Sequence, residues 1–220
     1  MSDASKPITI DVVSDVVCPW CYVGKRRLDA ARALRPDQPV EVRWRPFQLD
    51  PTIPPEGIDR HDYMSRKFGP EKIAQIHAHL ETIGAEVGIA FNFAAIKRSP
   101  NTLDAHRVIR WAQGTDQQSA LKEALLSAYF TKGQDIGDRD LLCDIASAHG
   151  LDRAVIAKAL ADGTDAAAVQ EEIATAVRMG VSGVPFFILA GRFAVSGAQA
   201  SEALAAAIDK AASAEDIGVA

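Results

Sequence analysis

Strand patterning in this 220-residue chain is confined to its two ends, and the long stretch between them reads as helix. Near the start, Ile8, Ile10 and Val12 alternate with Thr9 and Asp11, the period of a strand with unlike faces, and "SDVVCP" ends it. From Cys18 the spacing turns helical, with Val23, Ala30 and Leu34 on one face and Pro36 closing the segment. Val40, Val42 and Trp44 then alternate with Glu41, Arg43 and Arg45 until the prolines of "RPFQLDPTIPPEG" break the pattern, so the opening is β-α-β. Only helical periodicity follows, punctuated by Pro70 in a first turn, by Asp138 as an N-cap, and by Gly88, Gly150 and Gly180 as stops. Strand character returns in "VPFFILAGRFAVSG", two apolar runs about a tight turn at Ala190-Gly191. An alanine-rich helix from near Ala198 to Ala212 completes β-β-α.

The outer pieces, 1–58 and 180–220, together come to about 100 residues, a common size for one compact domain. The fold class expected is therefore α/β, interrupted by a large inserted all-helical domain at 59–179. Disorder is expected only at the two ends. A composition 48% hydrophobic and 24% charged, with no apolar run near the ~20 residues a membrane helix needs, is that of a globular chain off the membrane. A net charge of -5 with scattered basic residues argues against a nucleic-acid or anionic-membrane surface, whose affinity comes from clustered Lys and Arg. The start, "MSDASKPITIDVV", lacks the basic and apolar regions of a secretory signal, which makes the cytoplasm the expected location.

In "VCPWCY", Cys18 and Cys21 stand one helical turn apart, a spacing that serves a redox pair, half of a zinc site or two inert thiols. A structural disulfide does not suit a reducing compartment. Zinc would need two more ligands, and Cys143 with His106 or His149 offers no ligand-spaced motif; Cys143 in "LLCDIA" reads as a half-buried core thiol. The context favours redox chemistry. A strand ending before Cys18 and a helix starting at it would put this sulfur by unpaired backbone N–H groups and the positive end of the helix dipole, which favour a thiolate. Pro19 suits that boundary. Cys21, one turn deeper, could then attack a mixed disulfide formed at Cys18. In the distant "GVSGVPFFIL", Pro185 stands directly before a strand, where central-strand hydrogen bonding would not tolerate it.

At these residues the chain resembles the thioredoxin superfamily, and within it the DsbA-like oxidoreductases of the FrnE type. "CPWCYVGKRRLDAA", "VRWRPFQLDP", "NTLDAHRVI", "AYF" and "GVSGVPFFIL" carry the likeness. The resemblance implies a thioredoxin-like fold around the helical insertion, with Cys18 as attacking and Cys21 as resolving thiol. It implies a cis Val184–Pro185 bond against the pair, with the backbone before it pairing with an extended substrate. Trp20 stands where secreted DsbA proteins carry a histidine, which removes one charged stabiliser of the thiolate. Pro19, Trp20, Val184 and Phe47 form the expected substrate groove; His106, in the family-like segment, is a further candidate for which a structural role is the simpler reading.

The function expected is cytosolic thiol–disulfide exchange with protein thiols and disulfides or glutathione-like small thiols, with no metal or organic cofactor. A homodimer is compatible with it. One alternative is a glutathione-dependent isomerase or transferase of the kappa-class or 2-hydroxychromene-2-carboxylate isomerase type, whose members typically have serine at the first cysteine position. Another is a peptide-binding holdase in which the thiols play no part.

Overall fold

The structure, a computed structural model, describes residues 7–215; the disorder expected of the ends concerns 1–6 and 216–220, which lie outside the described residues. Strand β1 (Ile8–Ser14) leads through helix α1 (Pro19–Ala33) to β2 (Val40–Pro46). The two strands are parallel, with Ile8 opposite Val40 and Ser14 opposite Pro46, and α1 is the crossover that a parallel pair requires. The helices α2 (Arg60–Phe68), α3 (Pro70–Glu86), α4 (Leu103–Trp111), α5 (Gln118–Phe130), α6 (Arg139–Ala148), α7 (Arg153–Asp162) and α8 (Ala166–Arg178) lie between β2 and the returning strands. That stretch also holds a ladder with no counterpart in the strand reading: β3 (Ile58–Asp59) pairs antiparallel with β4 (Arg98–Ser99). Two residues are too few to print a period on the sequence.

Strands β5 (Phe186–Leu189) and β6 (Phe193–Ser196) and helix α9 (Ser201–Glu215) close the chain. The sheet order is β2-β1-β5-β6, with β5 antiparallel to both β1 and β6. The expected turn is there: Ala190 and Gly191 have φ of 50° and 65°, the left-handed pair that lets a two-residue hairpin follow the strand twist.

Alternation along β1 divides the packing. Ile8, Ile10 and Val12, with Trp44 and Phe187 in register beside Val12, face a core that continues through Leu121, Leu125 and Phe130 of α5 and Leu142 of α6. Val13 faces the other way, into a smaller cluster with Phe47, Ala176 and Val181. Helix α8 buries only a narrow edge, Val169 and Ala176, and leaves Val177 exposed. No helix among the described residues is long and apolar enough to cross a membrane.

Helix α1 meets the sheet closely at Gly24, where an added Cβ would come within 2.8 Å of Pro185 Cγ and 3.3 Å of Phe187 Cζ. Gly24→Ala should gain about 1 kcal/mol of helix propensity but cost about 1–3 kcal/mol of overpacking. We expect a lowered melting temperature together with slower thiol chemistry, since the ring that moves is Pro185. A variant that melts at or above the wild-type temperature would show that the contact yields freely.

Candidate functional site

The chain leaves β1 at Ser14, turns through Asp15 to Val17 and enters α1 with Cys18 as its N-cap, extended at φ -94° and ψ 113°. Pro19 fills the first helical turn, and no side chain caps the helix or adds negative charge there. The Cys18 carbonyl accepts from the backbone N–H of Cys21 (3.0 Å) and Tyr22 (3.4 Å). Its sulfur, on a residue only 4% exposed, lies 3.5 Å from the Val184 carbonyl oxygen, to which the thiol donates. The Val184–Pro185 peptide bond is cis. Cys21 is fully buried. Burial pushes its thiol well above the usual range, and the hydrogen bond and charge of Cys18 add to this; the Lys122 charge and a backbone hydrogen bond from Asp15 work the other way. Both thiols are free, and so is Cys143, buried in the core on α6.

Beneath the pair lies a cluster of buried charge. Asp15 is 1% exposed; one carboxylate oxygen accepts from the Leu49 N–H (2.8 Å) and the other faces His106 Nε2 at 3.2 Å. Burial lowers the His106 pKa against the pull of Asp15, so the contact is a hydrogen bond from a neutral ring rather than an ion pair. Lys122 of α5 is 0% exposed, and its ammonium has no hydrogen-bond partner among the described residues but stands 5.5 Å from the centre of the Trp44 ring. Burial lowers its pKa to about 8, against the pull of Cys21, Asp15 and Cys18.

A cavity of about 420 Å³ opens before Cys18. Pro19, Trp20 and Val184, expected in a substrate groove, line it. Phe47 and His106 do not: Phe47 packs in the smaller cluster against Val13, and His106 is 3% exposed and turned onto Asp15. Much of the remaining wall comes from the helical stretch, with Met64, Ile76, Leu80 and Phe93 and also Arg60 and His77. His77 stacks on Phe93 at 4.1 Å between ring centres.

Asp15, Lys122 and Arg60 carried no motif. One signal was available for Lys122, because it shares the i, i+3, i+4, i+7 face of Leu125, Leu126 and Tyr129, and all four are buried. As for metal ligands among the described residues, the ligand atoms of Asp59, His61 and Asp62 come within 4.8 Å of one another, but all three residues are exposed, an ordinary surface cluster.

A sequence model of the DSBA-like thioredoxin domain family matches residues 9–209. The chain is similar to a probable DsbA oxidoreductase of Streptomyces coelicolor, with 30% identity and a TM-score of 0.85 over 97% of this chain and 92% of that one. It is 28% identical to the uncharacterized protein YwbO of Bacillus subtilis over 91% of its own length and 96% of the other. It shares its fold with the cytosolic disulfide reductase DsbM of Pseudomonas aeruginosa, solved with GSH, at 17% identity and a TM-score of 0.63 over 94% and 97% of the two chains.

Proposed function

The chain belongs to the DSBA-like thioredoxin domain family, and on that premise we propose that it is a thiol–disulfide oxidoreductase working through Cys18 and Cys21. The observation that carries the reading is the pairing of unlike sulfurs: Cys18 at the start of α1 facing a cavity, and Cys21 buried one turn behind it with a raised pKa.

In the reaction the Cys18 thiolate attacks one sulfur of a substrate disulfide R–S–S–R′, forming Cys18–S–S–R and releasing R′S⁻. Cys21 then loses its proton and attacks the Cys18 sulfur; RS⁻ leaves, the Cys18–Cys21 disulfide forms, and the substrate has gained two electrons. With an oxidised enzyme the same steps run in reverse. Burial keeps Cys21 protonated until the mixed disulfide forms, and the Lys122 charge favours its thiolate when it must attack. Pro185, held against α1 at Gly24, and the Val184 carbonyl beside Cys18 form the edge that an incoming chain or small thiol would meet. The same proposal puts the protein in the cytoplasm, where a close cysteine pair is more often catalytic than structural.

The test is equilibration of the purified protein in glutathione buffers, followed by peptide mapping and by iodoacetamide alkylation against pH. We expect a Cys18–Cys21 disulfide, with Cys143 free, at a potential more negative than the roughly -120 mV of a strong oxidant such as DsbA. In the reduced protein we expect Cys18 to be alkylated first and Cys21 to stay unreactive to well above the ordinary thiol range. Absence of that disulfide at every buffer ratio, or equal alkylation of the two sulfurs, would refute the reading. Binding that survives loss of both cysteines would favour a holdase instead.

A further inference from the structure

Two arginines of this protein are buried, and they are treated differently. Arg107 is bound to the Asp104 carboxylate at 2.6 Å and to the carbonyls of Thr164, Leu160 and Ala159. Arg60, the first residue of α2 and 9% exposed, has no carboxylate within ion-pair distance among the described residues. One of its N–H groups donates to Tyr129 Oη at 2.9 Å, and its guanidinium centre lies 5.6 Å from the centre of that ring. Tyr129 is held in turn by donating to the Arg98 carbonyl. A buried guanidinium without a counter-ion is costly unless an anion completes it.

Arg60 lines the cavity that opens on Cys18, as does His77, whose buried Nε2 has no hydrogen-bond partner among the described residues. The acidic residues of the cavity are committed elsewhere: Asp15 to His106 and the Leu49 N–H, Asp50 to Thr52. Lys67, the remaining cation, bonds to Tyr63 Oη. Most other wall residues are apolar, and a volume of about 420 Å³ falls in the usual range of small-molecule sites.

We propose that this cavity is the substrate pocket, that Arg60 is its carboxylate anchor, and that the substrate is a small thiol or disulfide with an apolar body and an acid group. This rests on the exchange chemistry proposed above. The apolar wall takes the body, Arg60 takes the carboxylate, and the sulfur is presented to Cys18. A guanidinium fork matches the two oxygens of a carboxylate as an ammonium does not.

Two probes test it. The reduced protein is mixed with 5,5′-dithiobis(2-nitrobenzoate), an aromatic disulfide with carboxylates, and separately with the uncharged 2,2′-dithiodipyridine; release of the arylthiolate gives the two rate constants. Arg60→Gln should lower the ratio of the charged to the uncharged rate by about 10- to 100-fold, as expected for loss of a hydrogen-bonded charge contact, and Arg60→Lys should restore part of it. Binding of an unreactive thioether acid, 3-(benzylthio)propanoate, followed by calorimetry, should weaken by a similar factor in Arg60→Gln. An unchanged ratio, or equal binding by the two proteins, overturns the anchor while leaving exchange standing. Arg60-dependent binding of the acid in a wild type that reacts with neither disulfide overturns exchange while leaving the anchor standing.

Discussion

Cys18→Ser abolishes disulfide exchange, and Cys21→Ser converts the protein into a trap that accumulates mixed disulfides: this is the largest effect expected. The asymmetry follows from position. Cys18 borders the cavity and Cys21 is fully buried, so a substrate sulfur can reach only the first. Removing the second leaves the first bond formed with nothing behind it to break it. Cys143 lies in the core, and Cys143→Ser should change neither behaviour. Non-reducing gels of each variant incubated with lysate, together with turnover of a model disulfide, separate the cases. Adducts that persist in Cys18→Ser and vanish in Cys143→Ser would reassign the nucleophile.

Lys122→Met should stabilise the protein while slowing its chemistry. Lys122 is 0% exposed, and its pKa falls from the ordinary 10.5 to about 8 in the folded state. The unfolded chain therefore holds this proton more tightly than the folded one. The resulting cost to stability is full below about pH 8, shrinks as pH rises to about 10.5 and is absent above that, so in this window the residue makes stability increase with pH. A shift of this size corresponds to about 3 kcal/mol. Loss of the contact with Trp44 takes back about 1 kcal/mol, leaving the Met variant about 2 kcal/mol more stable near neutral pH. Urea unfolding at about pH 7 and about pH 10 checks this, with the advantage expected to vanish at the higher value. Equal or lower stability of Lys122→Met at neutral pH would mean that the charge is better compensated than its surroundings indicate. Cys21 loses a cation that favours its thiolate, so mixed disulfides should resolve more slowly in the more stable protein, a separation that a merely structural lysine would not produce.

What the sequence determined by itself was local. The alternation of Ile8, Ile10 and Val12, the helical spacing after Cys18 and the turn at Ala190-Gly191 each depend on neighbours a few residues away, and each has its counterpart in β1, α1 and the β5–β6 hairpin, although α1 buries Tyr22, Val23, Leu28 and Ala31 and leaves Ala30 and Leu34 of the expected face exposed. The step from strand to helix at Cys18 could be read for the same reason, since a strand end, an N-cap and a proline in the first turn all lie within one short segment. The β3–β4 ladder was too short to leave a pattern. The surroundings of the sulfurs were decided only by the tertiary structure. Phe47, at the end of a strand whose alternation was plain, went to the small cluster against α8, because the direction in which the chain leaves the sheet has no period. His106 was found beside Asp15, 91 residues away in sequence, and Lys122 and Arg60 reached the cysteine site from α5 and α2. Burial and charge pairing are properties of contacts between distant segments. A lysine on an apolar face and an arginine opening a helix look like solvated residues until the fold shows that water has been removed from around them.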